Sequence, residues 1–175
     1  MTKIAVQSLK LTEESYQFIR STHPSWFKTL DLNEIYIKKL KEEFPDLKII
    51  YRHYRAPQDQ RFRDDEADKF ADELLRAIDD KKLRDCVFAA EGYNETGLWN
   101  DGPRYNRWTM IFAKRMRREG IKSIAYNFST GCPPEFWLWK DYYDGLYDSD
   151  YLGLHEYYVD SVNDYAFPFK PPYNV

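Results

Sequence analysis

At 175 residues, with 43% hydrophobic and 31% charged side chains, the chain has room for one domain with a sizeable core and little room for two. A net charge of −3 and a pI near 5.7 argue against a nucleic-acid partner, which calls for a basic face. No apolar run approaches the ~20 residues that span a bilayer, and the opening MTKIAVQSLKLTEES lacks the apolar core of a signal peptide, which places synthesis in the cytoplasm.

Apolar, β-rich runs alternate with helical patterns along nearly the whole chain. Residues 3–8 predict a strand, 12–20 a helix, and 25–30 the second strand. The next helix, 33–44, has Asn33 to cap it and Pro45 to stop it. Strand 47–53 follows, then helix 64–83, whose apolar stripe is Phe70, Leu74, Leu75 and Ile78. Strand 85–91 leads to helix 102–119, which ends in the basic stretch 114–118 with Gly120 as its terminator. Strand 121–128, helix 133–146 and strand 151–157 complete the series. Residues 1–166 read as one domain, and 167–175, with Pro168, Pro171 and Pro172, as a tail. This strand–helix repetition implies an α/β fold with a parallel sheet and right-handed crossovers.

The alternation within strands favours a TIM-barrel-like wall over an open doubly wound sheet. Ile124, Tyr126 and Phe128 share one side of the fifth strand, and Ser123, Ala125 and Asn127 the other; in the sixth, Leu152 and Leu154 oppose Gly153 and His155. Large apolar residues are expected to face the helices, with Ser123, Ala125, Asn127, Gly153 and His155 on the concave side. A glycine-rich phosphate loop after the first strand, the mark of a dinucleotide-binding sheet, does not occur. At ~25–30 residues per unit a full barrel needs about 200 residues or more, so the expectation is an incomplete barrel of six parallel strands. Its first and sixth strands would be edges for the tail, a second copy or another chain to cover.

In such a barrel function sits at the C-terminal strand ends. Those ends carry Lys28 and Asp31; Arg52, His53 and Tyr54; Glu91, Tyr93, Asn94 and Glu95; Asn127 and Ser129; and His155, Glu156 and Tyr157. Cys86 and Cys132 lack metal or disulfide spacing, and the three histidines lack a ligand motif, so neither a metal nor another cofactor is expected. The 18% aromatic content suits both core packing and stacking on sugar rings. Of the aromatic run 136–143, Trp137 and Trp139 are expected to pack against the sheet.

The run Ala89-Ala90-Glu91-Gly92-Tyr93-Asn94-Glu95 ends the fourth strand in Asn-Glu, and the sixth strand carries His155-Glu156-Tyr157. With YRHY and YNFSTG, these resemble the clan A glycoside hydrolases, over roughly residues 25–158. The resemblance implies a carbohydrate ligand, Glu95 as acid/base, Asn94 on a sugar hydroxyl, and His155 and Tyr157 among the substrate contacts, with Arg52, Tyr54, Glu91 and Asn127 on the same rim. Glu95 serves as proton donor if burial or the neighbouring Glu91 raises its pKa. Glu91 itself has two readings, a ligand contact or an interior carboxylate paired with Arg52 or Lys28. The family's nucleophile lies on a seventh strand, and Glu156 shares parity with the helix-facing Leu152 and Leu154, so the chain alone is expected not to hydrolyse glycosides. A non-catalytic carbohydrate-binding or structural role on the same scaffold is the alternative.

Overall fold

The computed structural model describes residues 5–54, 63–93, 101–129, 133 and 135–155. The units follow in the expected order: β1 Ala5–Ser8, α1 Glu13–Thr22, β2 Trp26–Thr29, α2 Glu34–Glu43, β3 Lys48–Arg52 and α3 Asp64–Asp80. Then come β4 Val87–Glu91, α4 Gly102–Arg118, β5 Lys122–Ser129, a 3₁₀ segment Phe136–Tyr142 that runs into the short helix α5 Tyr143–Asp148, and β6 Tyr151–His155. All neighbouring strands pair in parallel, in the order β1-β2-β3-β4-β5-β6, with no switch point.

Local chemistry sets the helix ends. Thr12 and Ser15 form a reciprocal capping box at α1. Asn33 Oδ1 accepts from the Tyr36 amide, and α2 ends at Phe44, before Pro45. Gly120 adopts the left-handed φ of +73° just past α4, and its N–H donates to the Arg117 carbonyl at 3.1 Å. The region expected as one helix, 133–146, is instead a 3₁₀ segment and a short helix. Paired prolines at its start and bulky rings at 136, 137 and 139 give it no single apolar stripe.

The sheet curls strongly. In a flat sheet β2 and β6, four strand spacings apart, would be separated by about 19 Å. Yet the rings of Trp26 on β2 and Tyr151 on β6 meet edge to face with centroids 5.5 Å apart, and Phe88 on β4 touches both. Side chains from alternate strands thus fill one layer at the N-terminal end of the concave face, as in barrel interiors. Ile50, Ala89 and Ile124 pack directly above it. The protein is therefore an open, curled α/β half-barrel, a TIM-like wall of six parallel strands.

The convex face carries the larger core, in which α3 buries Ala67, Phe70, Ala71, Leu74, Leu75 and Ile78. Leu152 and Leu154, on the outer side of β6, stay 40% and 47% exposed. No helix among the described residues is long and apolar enough to cross a membrane.

Strand β5 departs from the expected alternation. Ile124 lies on the concave side with Ile50 and Ala89, whereas Ala125 joins the helix-side core, so Ser123 and Ala125 do not face the interior. A β-bulge between Ala125 and Phe128 then reverses the parity: three steps on β5 span two on β6, from Leu152 to Leu154. Tyr126 and Phe128 return to the helix side, as the pattern required, and Asn127 turns to the concave side above Gly153.

Candidate functional site

The C-terminal half of the concave face holds four buried polar side chains, one from each of four adjacent strands. Lys28 on β2 is 8% exposed, Arg52 on β3 7%, Glu91 on β4 4% and Asn127 on β5 0%. Each follows an apolar stretch of its strand; the two-residue period brings Lys28, Arg52 and Glu91 to the same face as Trp26, Ile50 and Ala89, and the β5 bulge brings Asn127 there. The aromatic layer below closes the interior from the other end, with Lys48 Nζ over the Trp26 ring at 4.6 Å from its centroid.

Lys28 Nζ and Glu91 Oε2 pair at 2.6 Å, reaching over β3 between them. Arg52 is the register partner of Glu91. Glu91 is thus an interior carboxylate paired with Lys28, one of the two partners expected for it. Burying both charges costs several kcal/mol per ion before their attraction is counted, so such pairs contribute little net stability.

Asn127 is held in a costly conformation. Tyr126 and Asn127 have φ of 65° and 48°, both in the left-handed region. That region costs of order 1–3 kcal/mol for each such non-glycine residue, less for Asn than for a bulky side chain. Anchors on the convex side hold Tyr126 there. Its hydroxyl donates to Asn106 Oδ1 at 2.7 Å and lies 2.8 Å from the Tyr142 carbonyl, and Tyr105 donates to its backbone carbonyl at 2.7 Å. Burial pushes the Tyr126 phenol far above its usual range, so it remains a donor. Asn106 Oδ1 also accepts from the Gly145 amide at 2.7 Å. On the concave side, Asn127 Nδ2 donates to the Tyr93 carbonyl at 3.2 Å, and Tyr93 stacks on Trp108 with centroids 4.3 Å apart.

Two glycines make room for this arrangement. A Cβ at Gly153 would collide with Asn127 Oδ1, and one at Gly145 with the Tyr126 hydroxyl. Gly145→Ala should therefore lower stability by about 1–3 kcal/mol through overpacking, measured by urea unfolding.

The other strand-end candidates fall elsewhere. Tyr54 lies past the end of β3 and is 59% exposed. His53 turns to the convex side, where Nδ1 meets the Tyr51 hydroxyl at 3.1 Å and the ring abuts Phe70. Burial, with Asp31 nearby, pushes that Tyr51 hydroxyl up to about 12, so it stays neutral. Asp31 Oδ2 accepts from the Leu11 amide at 2.9 Å and fixes the β1–α1 connection. The backbone of His155 ends β6 opposite Ser129. Asn94, Glu95, Glu156 and Tyr157 lie outside the described residues. Trp139 packs on Phe128 as expected, but Trp137 is 64% exposed. Cys86 is partly buried against the core, and Cys132 lies outside the described residues. Among the described residues, no group of three or more His, Cys, Asp or Glu is placed to hold a metal ion.

Tyr126, Asn106 and Gly145 carry no strand-end signature in the sequence. The only cue to them is the asparagine at 127, a residue tolerant of left-handed backbone, in an otherwise β-rich run.

Fold and site together define an α/β half-barrel whose concave C-terminal rim is recessed, charged and closed from below. No protein-family model matches the chain, and no curated protein matches it significantly. The likeness to clan A glycoside hydrolases accordingly rests on the strand-end motifs.

Proposed function

We propose that the chain is a glycosidase-type half-barrel that takes a carbohydrate into its concave C-terminal rim. In this reading Arg52, Glu91 and Asn127 contact the sugar, and the strand-end motifs add Asn94, His155 and Tyr157 as further contacts and Glu95 as the acid/base. The observation that carries it is the convergence of Lys28, Arg52, Glu91 and Asn127, all buried, on the concave ends of four adjacent strands. Buried charges and amides seldom gather without a ligand or a network to serve. The strand-end motifs supply the sugar chemistry.

The Lys28–Glu91 pair favours binding without turnover as a second reading. Cleavage needs two carboxyl groups with separate roles. Among the described residues Glu91 is the carboxylate of the recess, and its Oε2 is engaged by lysine.

Both readings are tested by calorimetric titration with cello-, xylo-, manno- and N-acetylchito-oligosaccharides, alongside hydrolysis assays on the corresponding aryl glycosides. Saturable binding that Arg52→Ala weakens at least about tenfold, an ordinary loss for a charged hydrogen-bonding contact, is expected. Turnover abolished by Glu95→Gln selects the catalytic reading, and binding without turnover selects the second. Failure of every sugar to bind rejects the proposal.

A further inference from the structure

We propose that Asn127 Oδ1 is the acceptor for one ligand hydroxyl in the concave recess, and that Tyr126 is the positioning residue that holds it there. The nature of the donor rests on the carbohydrate reading above; the atom and the device behind it go beyond that reading.

Asn127 is fully buried and its amide is oriented. Because Nδ2 donates to the Tyr93 carbonyl at 3.2 Å, Oδ1 is the remaining group, and it has no hydrogen-bond partner among the described residues. Buried acceptors are nearly always paired, so one that is not requires a reason. The reason is not local ease of folding, because Tyr126 and Asn127 both occupy the left-handed region in the middle of a strand.

Nor does the amide arrive there by default. The Tyr126 hydroxyl, Asn106, the Gly145 amide and the Tyr105 hydroxyl form a linked set on the convex side. Together they pin Tyr126, and so aim the next residue through the sheet. Gly153 leaves the room into which Oδ1 projects. Strained backbone held by its surroundings is characteristic of sites that must present a group in a fixed pose. An amide oxygen accepts from a hydroxyl or N–H and repels a carboxylate or phosphate.

The test uses NMR titration of the ¹⁵N-labelled protein with the methyl glycosides of glucose, xylose, mannose and N-acetylglucosamine, and with their monodeoxy analogues. Wild type, Asn127→Gly and Tyr126→Phe are compared. Glycine adopts φ near 48° without strain and phenylalanine keeps the ring contacts, so both variants should fold; their amide spectra check this. For a glycoside that binds, loss of one particular hydroxyl should weaken wild-type binding about tenfold or more. The same loss should cost nothing further in Asn127→Gly or Tyr126→Phe, the pattern of a coupled pair. If no deoxy position is coupled to Asn127, the inference fails and the carbohydrate reading survives. If Tyr126→Phe keeps the wild-type hydroxyl preference, Tyr126 loses its positioning role. If none of the four glycosides binds, the inference fails, and the carbohydrate reading is decided separately by the oligosaccharide titrations.

Discussion

Glu91→Ala should destabilise the protein by about 3–5 kcal/mol, the usual cost of breaking a buried ion pair from one side. The substitution removes the carboxylate that meets Lys28 at 2.6 Å and leaves an ammonium whose side chain is only 10% exposed without that partner. The paired replacement Lys28→Met with Glu91→Leu should recover most of the loss, because apolar groups of similar volume carry no desolvation cost. Denaturant unfolding of the three variants measures this. A recovered double variant that no longer binds sugar would show that the pair is kept for the site and not for stability. A Glu91→Ala protein as stable as wild type would show that the pair is not buried as described.

Phe70→Ala should cost about 3–5 kcal/mol, the range for truncating a buried aromatic. Phe70 is 1% exposed and its ring meets those of His53, Tyr93, Trp108 and Phe112 at centroid distances of 5.1 to 5.9 Å. Its loss opens a cavity where α3, α4 and β4 come together. Tyr93 sits on that cavity and its carbonyl fixes the Asn127 amide, so the substitution should also disturb the Asn127 side-chain resonances at a distance. A fall in stability with those resonances unmoved would show that the core does not support the recess in this way.

Much of this architecture is legible in the sequence because each element announces itself locally. The stripe of Phe70, Leu74, Leu75 and Ile78, the cap at Asn33, the stop at Pro45 and the left-handed Gly120 are all one-dimensional signals, and each takes its expected place. Parallel order follows from the repetition alone. The facing of β5 is another matter. Strict alternation puts Ser123 and Ala125 inside, but the bulge at Tyr126 and Asn127 changes parity halfway along. What fixes the bulge is a set of contacts from α4, the 3₁₀ segment and α5, at sequence separations of 16 to 39 residues. No window along one strand contains that information.

The recess was partly legible. Arg52, Glu91 and Asn127 stand at strand ends in the sequence and share the concave face in the structure. His53, one step after Arg52, faces the convex side with Tyr51 by the strand's own alternation, and Tyr54 lies past the end of β3, where the chain leaves the sheet and periodicity no longer governs where a side chain points. Pairing of Glu91 with Lys28 rather than Arg52 depends on the curl, which brings β2 and β4 within reach across β3. Curl is a property of the whole sheet.

The most direct measurement is to map where a sugar sits. The ¹⁵N-labelled chain, titrated with the oligosaccharide that binds best, should show its largest shifts at Arg52, Glu91, Asn127 and their strand neighbours. The aromatic layer of Trp26, Phe88 and Tyr151 at the opposite end should be little affected. Shifts concentrated instead on the exposed rings of Trp137, Tyr143 and Tyr147, with the recess unmoved, would contradict the account.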